Sequence, residues 1–218
     1  MSEHKFKAVI FDIDGTLSLE ISWLAFTKGL GASVDDHLKI YKDLKTATVS
    51  YEQSKEELLT MWKKTGKANK EFISSLFEKW PLKNEAKEIM SYLKEHGFMT
   101  CLITGSIDLY AKIIAKRLEV DNYYANTEFI WDQNGYLADF HYYREQSKKK
   151  VEQFLEFCRI SNLQPKDCLI VGDDDNDIEL FTLTGNGIAV HSPTSEKLEQ
   201  YSWKKVFNLN ELKDIVNI

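Results

Sequence analysis

Two carboxylates one residue apart close an apolar run in Ala8-Val9-Ile10-Phe11-Asp12-Ile13-Asp14-Gly15-Thr16-Leu17. The run reads as a buried parallel strand presenting Asp12 and Asp14 at its carboxyl end, where open α/β sheets bind ligands. Period-two spacing places both acids on one face of an extended strand. Buried and unpaired they would be very costly, so the position calls for a compensating charge. A second acidic cluster, Gly172-Asp173-Asp174-Asp175-Asn176-Asp177, also follows an apolar run and precedes a helical pattern. Two acidic strand ends together suit a hard cation, and Mg²⁺ favours such carboxylate and water oxygens. Asp173, Asp175 and Asp177 do not form a calcium loop, because Ile178 stands at the required glycine and Thr184 at the bidentate acid. A third turn, Thr104-Gly105-Ser106, offers a hydroxyl and backbone N–H groups that can hold phosphate oxygens. Phosphoryl transfer suits the set, since it needs charge neutralised on the equatorial oxygens and an in-line nucleophile. A carboxylate can be that nucleophile, its neighbour two residues on can move the proton, and a lysine can supply positive charge.

These turns must be held by a common scaffold. Residues 98–104 and 168–171 are short apolar runs closed by turn residues, and 186–190 ends near His191-Ser192-Pro193. Such runs are expected of central parallel strands. Between them lie helical patterns over 85–96 (Asn84 as N-cap, Gly97 as stop), 107–118, 150–160, 178–183 and 211–216. The alternation predicts an α/β fold with a Rossmann-like parallel sheet and right-handed crossovers. Residues 18–83 break the rhythm: they read as amphipathic helices carrying Trp23, Phe26, Leu38, Tyr41, Trp62, Phe77 and Trp80, with Gly66 and Pro81 as boundaries. An all-helical insert after the first strand would lie over the carboxyl edge of the sheet. The expected domains are therefore a core of 1–17 and 84–218 and a helical cap of 18–83, with the aromatics forming the cap's own core. Asn134-Gly135 between alternating apolar residues predicts a small β-hairpin insert.

Bulk properties narrow the function. A net charge of −6 argues against nucleic acid as a partner. No apolar run approaches the roughly 20 residues that span a bilayer, so no membrane association is expected. The start, Met1 to Lys7, is too short for a signal sequence. Cys101, Cys158 and Cys168 are odd in number and lack C-x-x-C spacing, which reads as buried thiols in a reducing, cytoplasmic setting.

The chain resembles the haloacid dehalogenase superfamily of phosphohydrolases, most closely its phosphoserine-phosphatase-like branch. Asp12-Ile13-Asp14-Gly15-Thr16-Leu17 is similar to the family's first motif, Leu102 to Ser106 to its second, and Val171 to Asp177 to its fourth. The resemblance implies a Mg²⁺-dependent hydrolysis of a small-molecule phosphomonoester through an aspartyl-phosphate. It implies Asp12 as nucleophile, Asp14 as general acid and base, and Mg²⁺ held by Asp12, the Asp14 carbonyl and Asp173 with support from Asp177. Thr104 and Gly105 would bind phosphate, and Asn176 would touch the phosphoryl group or the cap. The family's spacing lands its lysine on Lys150, with Lys148 or Lys149 serving if the helix start shifts. Asp174 and Asp175 read as loop acids. In the cap, Glu20 falls one residue short of the family's substrate-amine contact, and Glu56 stands where an arginine would pair with a substrate carboxylate. Two alternatives share this fold: a phosphotransferase passing the phosphoryl group to an alcohol, and a non-catalytic phosphate-binding module.

Overall fold

A computed structural model describes residues 6–192 and 196–217, so Met1 to Lys5 and Pro193 lie outside the described residues. The chain runs β1 (Ala8–Phe11), then four helices: α1 (Ser22–Leu30), α2 (Val34–Lys45), α3 (Tyr51–Lys64) and α4 (Lys70–Glu78). It continues with α5 (Ala86–Glu95), β2 (Met99–Ile107), α6 (Asp108–Leu118), β3 (Asn122–Trp131), β4 (Leu137–Tyr142) and α7 (Gln146–Ile160). It closes with β5 (Cys168–Gly172), α8 (Ile178–Thr184), β6 (Gly187–Val190), α9 (Glu196–Glu199), β7 (Lys204–Val206) and α10 (Leu212–Val216). The described strands form one seven-stranded sheet in the order β4-β3-β2-β1-β5-β6-β7. All neighbours are parallel except β3 and β4.

The continuous apolar runs become central strands because both of their faces are covered. Val9, Phe11, Leu102, Leu169 and Val171 point into one core cluster, while Ala8, Ile10, Cys101, Ile103, Cys168 and Ile170 point into a second. That is the period-two alternation of a strand buried on both sides. α5, α6 and the inserted helices α1, α3 and α4 cover the first face, with α2 packed on α1 and α3, and α7 and α8 cover the second. All three cysteines are free and buried, as expected.

Several element boundaries differ from expectation, each for a local reason. β2 does not stop at Gly105-Ser106 but runs to Ile107, which pairs with Thr127 after a register shift beyond Thr104. Such an irregularity re-aims side chains next to a site. α7 begins at Gln146 rather than Lys150, and Asn126 Nδ2 fastens that first turn through the Gln146 carbonyl at 3.1 Å. β7, a Lys-Lys-Val segment, carries too little apolar pattern to be read as a strand. The expected hairpin is part of the sheet: β3 pairs parallel with β2 in its first half and antiparallel with β4 in its second.

That hairpin forms a wall for the helical insert. Phe26 lies 5.6 Å from Phe129 and 4.9 Å from Trp62, Trp62 lies 5.7 Å from Phe140, and Phe77 lies 5.0 Å from Tyr110. These aromatics belong to the same cluster as the sheet's first face, so insert and sheet share one core. Leu38 and Tyr41, grouped with the apolar positions on sequence, are instead exposed. Backbone bonds from Lys70 N to Gly135 O and from Leu137 N to Ala68 O, both 2.8 Å, tie the two layers.

His37 is buried in this insert beside Trp23 and Trp62. Thr27 Oγ1 spends its hydrogen on Trp23 O, so His37 Nδ1–H donates to Thr27 Oγ1 at 2.7 Å. Burial lowers the imidazole from 6.5 to about 4, which favours the neutral ring in the folded state. Its stabilisation is therefore present above the unfolded value and lost as pH falls from 6.5 towards 4. Urea unfolding should show the wild type losing about 2 kcal/mol more than His37→Gln between about pH 7 and 4.5.

Candidate active site

β1 ends at the middle of the sheet, and its successor Asp12 still bonds through its N–H to Val171 O at 2.9 Å. This keeps the Asp12 carboxylate against β5 and under α7. The inward stripe of α7 is Lys150, Gln153, Phe154, Phe157 and Cys158, spaced as one helical face. Lys150 shares that stripe and is fully buried, its Nζ 3.0 Å from Asp12 Oδ1 and 2.7 Å from Asp177 Oδ1. Lys148 and Lys149 point outward and pair with Glu145 and Glu152. Burial works to lower the Lys150 ammonium, but Asp12 and Asp177 outweigh it and hold the group charged above its usual range.

One carboxylate oxygen from each of Asp12, Asp173 and Asp177 lies within 4.8 Å of the others, and all three residues are buried. Burial, then the charges of Asp12 and Asp177, push Asp173 up to about 8. Burial, only partly relieved by Lys150, pushes Asp177 up to about 6. Once all three are ionised, three carboxylates against one ammonium leave two negative charges, which a divalent cation would neutralise. Asp177 Oδ2 is buried without a hydrogen-bond partner, as an oxygen reserved for a ligand would be. The donor set of carboxylate oxygens suits a hard cation.

Two glycines make room for this cluster. Gly15 has φ +80°, and a Cβ there would sit 2.0 Å from Asp173 Oδ2. At Gly172 a Cβ would sit 2.3 Å from Asp177 Oδ2. Thr16 Oγ1 donates to Asp173 Oδ1 at 2.8 Å, and Lys83 Nζ donates to Gly15 O at 2.7 Å. Thr16 and Lys83 carry no role in the sequence reading, although Thr16 lies inside the first motif.

The remaining expected residues divide. Asp14 turns its carboxyl to the start of α1, where Oδ2 accepts from Ser22 N at 3.0 Å and Ser22 Oγ at 2.5 Å. Burial, with the Asp12 charge behind it, raises Asp14 to about 7 against the lowering by Ser22. Thr104 is buried at the β2 irregularity and accepts from Ser106 N at 3.2 Å. The Gln146 carboxamide crowds Gly105 so closely that a Cβ there would lie 2.6 Å from Gln146 Oε1. Asn176 donates to Asp174 Oδ2 and keeps a buried Oδ1 without a partner. Glu20 is exposed beside the first motif, its carbonyl accepting from Ser18 Oγ. Glu56 is exposed on α3 and lines a surface cleft of about 720 Å³ with Asp36 and Glu57. Its neighbour Lys55 is held by Asp139 at 2.7 Å.

A parallel sheet carrying these acids at the end of its central strand is matched by a family description. The chain belongs to the haloacid dehalogenase-like hydrolases, whose family model matches residues 6–181. Within them it is phosphoserine phosphatase-like. It is 26% identical over 197 residues to a phosphoserine phosphatase of Methanocaldococcus jannaschii, covering 86% of each chain. A substrate-bound phosphoserine phosphatase complex shares the fold, with TM-score 0.76 at 21% identity over 98% of this chain and 100% of that one. A HAD family hydrolase of Salmonella enterica serovar Typhi overlays with TM-score 0.81 at 16% identity, covering 100% of this chain and 73% of that one. Among the described residues no helix is long and apolar enough to cross a membrane.

The crowded glycines give a direct test. Gly172→Ala should weaken divalent-cation binding about tenfold or more in a calorimetric titration, because Asp177 must move. The thermal transition should stay cooperative.

Proposed function

We propose that the chain is a Mg²⁺-dependent phosphatase that hydrolyses a small-molecule phosphomonoester through an aspartyl-phosphate on Asp12. The observation that carries this reading is the buried contact of Lys150 with both Asp12 and Asp177, beside Asp173. Asp12, Asp173 and Asp177, with the Asp14 carbonyl, would hold Mg²⁺, which when bound neutralises charge on the transferring phosphoryl group. Lys150 orients the Asp12 carboxylate for attack on phosphorus. Thr104 and Gly105 bind phosphate oxygens, and Asn176 touches the phosphoryl group or the cap. Asp14 protonates the leaving oxygen, then takes the proton of the water that cleaves the aspartyl-phosphate, as one group serving acid and then base.

Residues 1–17 and 84–218 do this chemistry, and residues 18–83 select the leaving group. Phosphoserine is the substrate named for the relatives. Here Glu56, in place of an arginine, faces outward and Lys55 is engaged by Asp139, so this turn of α3 offers no guanidinium to a substrate carboxylate. Glu20 stays free to meet a cationic group.

Hydrolysis of 4-nitrophenyl phosphate tests the reading. The wild type should turn over with Mg²⁺ and stop on chelation, and Asp12→Asn should lose at least about a thousandfold in kcat while keeping its fold. Undiminished activity in Asp12→Asn would sink the assignment. Product that shifts to a new phosphate ester when alcohol is added would mark a phosphotransferase instead.

A further inference from the structure

Ser22 and Ser106 stand beside the proton-moving acid; Ser22 lies outside the motifs, and Ser106 closes the second motif with no role assigned to its hydroxyl. Ser22 opens α1, and both its N–H and its hydroxyl reach the same oxygen of Asp14, Oδ2. Ser106 lies within the irregularity in β2, buried, with its hydroxyl in a short contact with Ser22 Oγ. Ser106 Oγ has no other hydrogen-bond partner among the described residues. Its hydrogen therefore goes to Ser22, which leaves the Ser22 hydrogen for Asp14. The chain of donation has one direction, Ser106 to Ser22 to Asp14, and each link strengthens the next. Ser106 also donates its backbone N–H to Thr104 Oγ1 at 3.2 Å, so the same residue touches the phosphate-side threonine.

From this geometry we infer that Ser22 and Ser106 are positioning residues that make Oδ1 of Asp14 the oxygen carrying the proton. The inference rests on the phosphatase reading above. Oδ2 faces two donors, and a proton placed there would meet them head-on. Oδ1 is buried and accepts no hydrogen bond of ordinary geometry, so it is the oxygen left to exchange a proton with the leaving group and with water. The remaining hydroxyl beside this carboxyl is that of Tyr110, which donates to Ser18 Oγ at 3.4 Å and also acts on Asp14 as the weakest of its donors. In the first step an Asp12 oxygen bonds to phosphorus, the bond from phosphorus to the leaving oxygen breaks, and that oxygen takes the Oδ1 proton. In the second, water bonds to phosphorus, its proton passes to Oδ1, and the Asp12 carboxylate is released with phosphate.

The expected signature is selective loss with poor leaving groups. For kcat/KM, which reports only the first step, the ratio of 4-nitrophenyl phosphate to unsubstituted phenyl phosphate should rise about tenfold in Ser22→Ala. Ser22→Thr, which keeps both donors, should restore the wild-type ratio. Tyr110→Phe should leave the ratio unchanged. Equal losses on both esters in Ser22→Ala, or a rise of the same size in Tyr110→Phe, would overturn the inference. If Ser22→Ala loses its cooperative thermal transition, Ser106→Ala carries the test: a smaller rise supports the relay, and no rise overturns it. A wild-type protein that turns over neither ester would overturn the phosphatase reading and this inference with it.

Discussion

The ammonium of Lys150, fully buried between Asp12 and Asp177, is the interaction on which the site depends. It joins three segments that are far apart in the chain: the end of β1, the second turn of α7 and the turn before α8. Each of the three charges has given up water, and removing one partner from such a set leaves an uncompensated charge that costs several kcal/mol. The geometry is tolerable because the lysine sits on the same helical stripe as Phe154 and Phe157, whose packing sets where its Nζ arrives. Packing of the second core thus fixes the electrostatics of the carboxyl edge.

The other constraint is space. Acids from the two halves of the sheet approach so closely that the backbone facing them must lack side chains at Gly15 and Gly172. The first of these also turns the chain with a positive φ, which few residues other than glycine adopt. Charge concentration and backbone shape are therefore one requirement met twice, once on each side of the cluster. The β2 irregularity adds a third adjustment, bringing Thr104 and Ser106 to face different partners.

The sequence makes much of this readable because its motifs fall where apolar runs end. Asp12, Asp14, Asp173 and Asp177 follow, and Thr104 sits within, strands whose buried apolar patterns are hard to mistake. Lys150 is less legible, since three consecutive lysines differ only in which helical face they occupy. The helix start four residues earlier decides that face, and Asn126, distant in sequence, fastens it. Ser22 is not legible at all, since an isolated serine carries no period; Ser106 closes the second motif, but the meaning of its hydroxyl comes from a contact across 84 residues. β7 escapes notice for a related reason, being a three-residue charged edge held by pairing with β6.

The aromatic seam between the inserted helices and the sheet bears on how molecules reach the acids. Phe26, Trp62, Phe77, Phe129 and Phe140 are packed as one body, so swinging the helices away whole would wet all of them. Five such rings lose on the order of 10 kcal/mol on exposure, too much for every turnover. Traffic must instead use small displacements at the rim, where Leu19, Glu20 and Ile21 are already exposed. A molecule that reaches the acids would therefore pass at this rim, beside the first motif, without parting the aromatic seam.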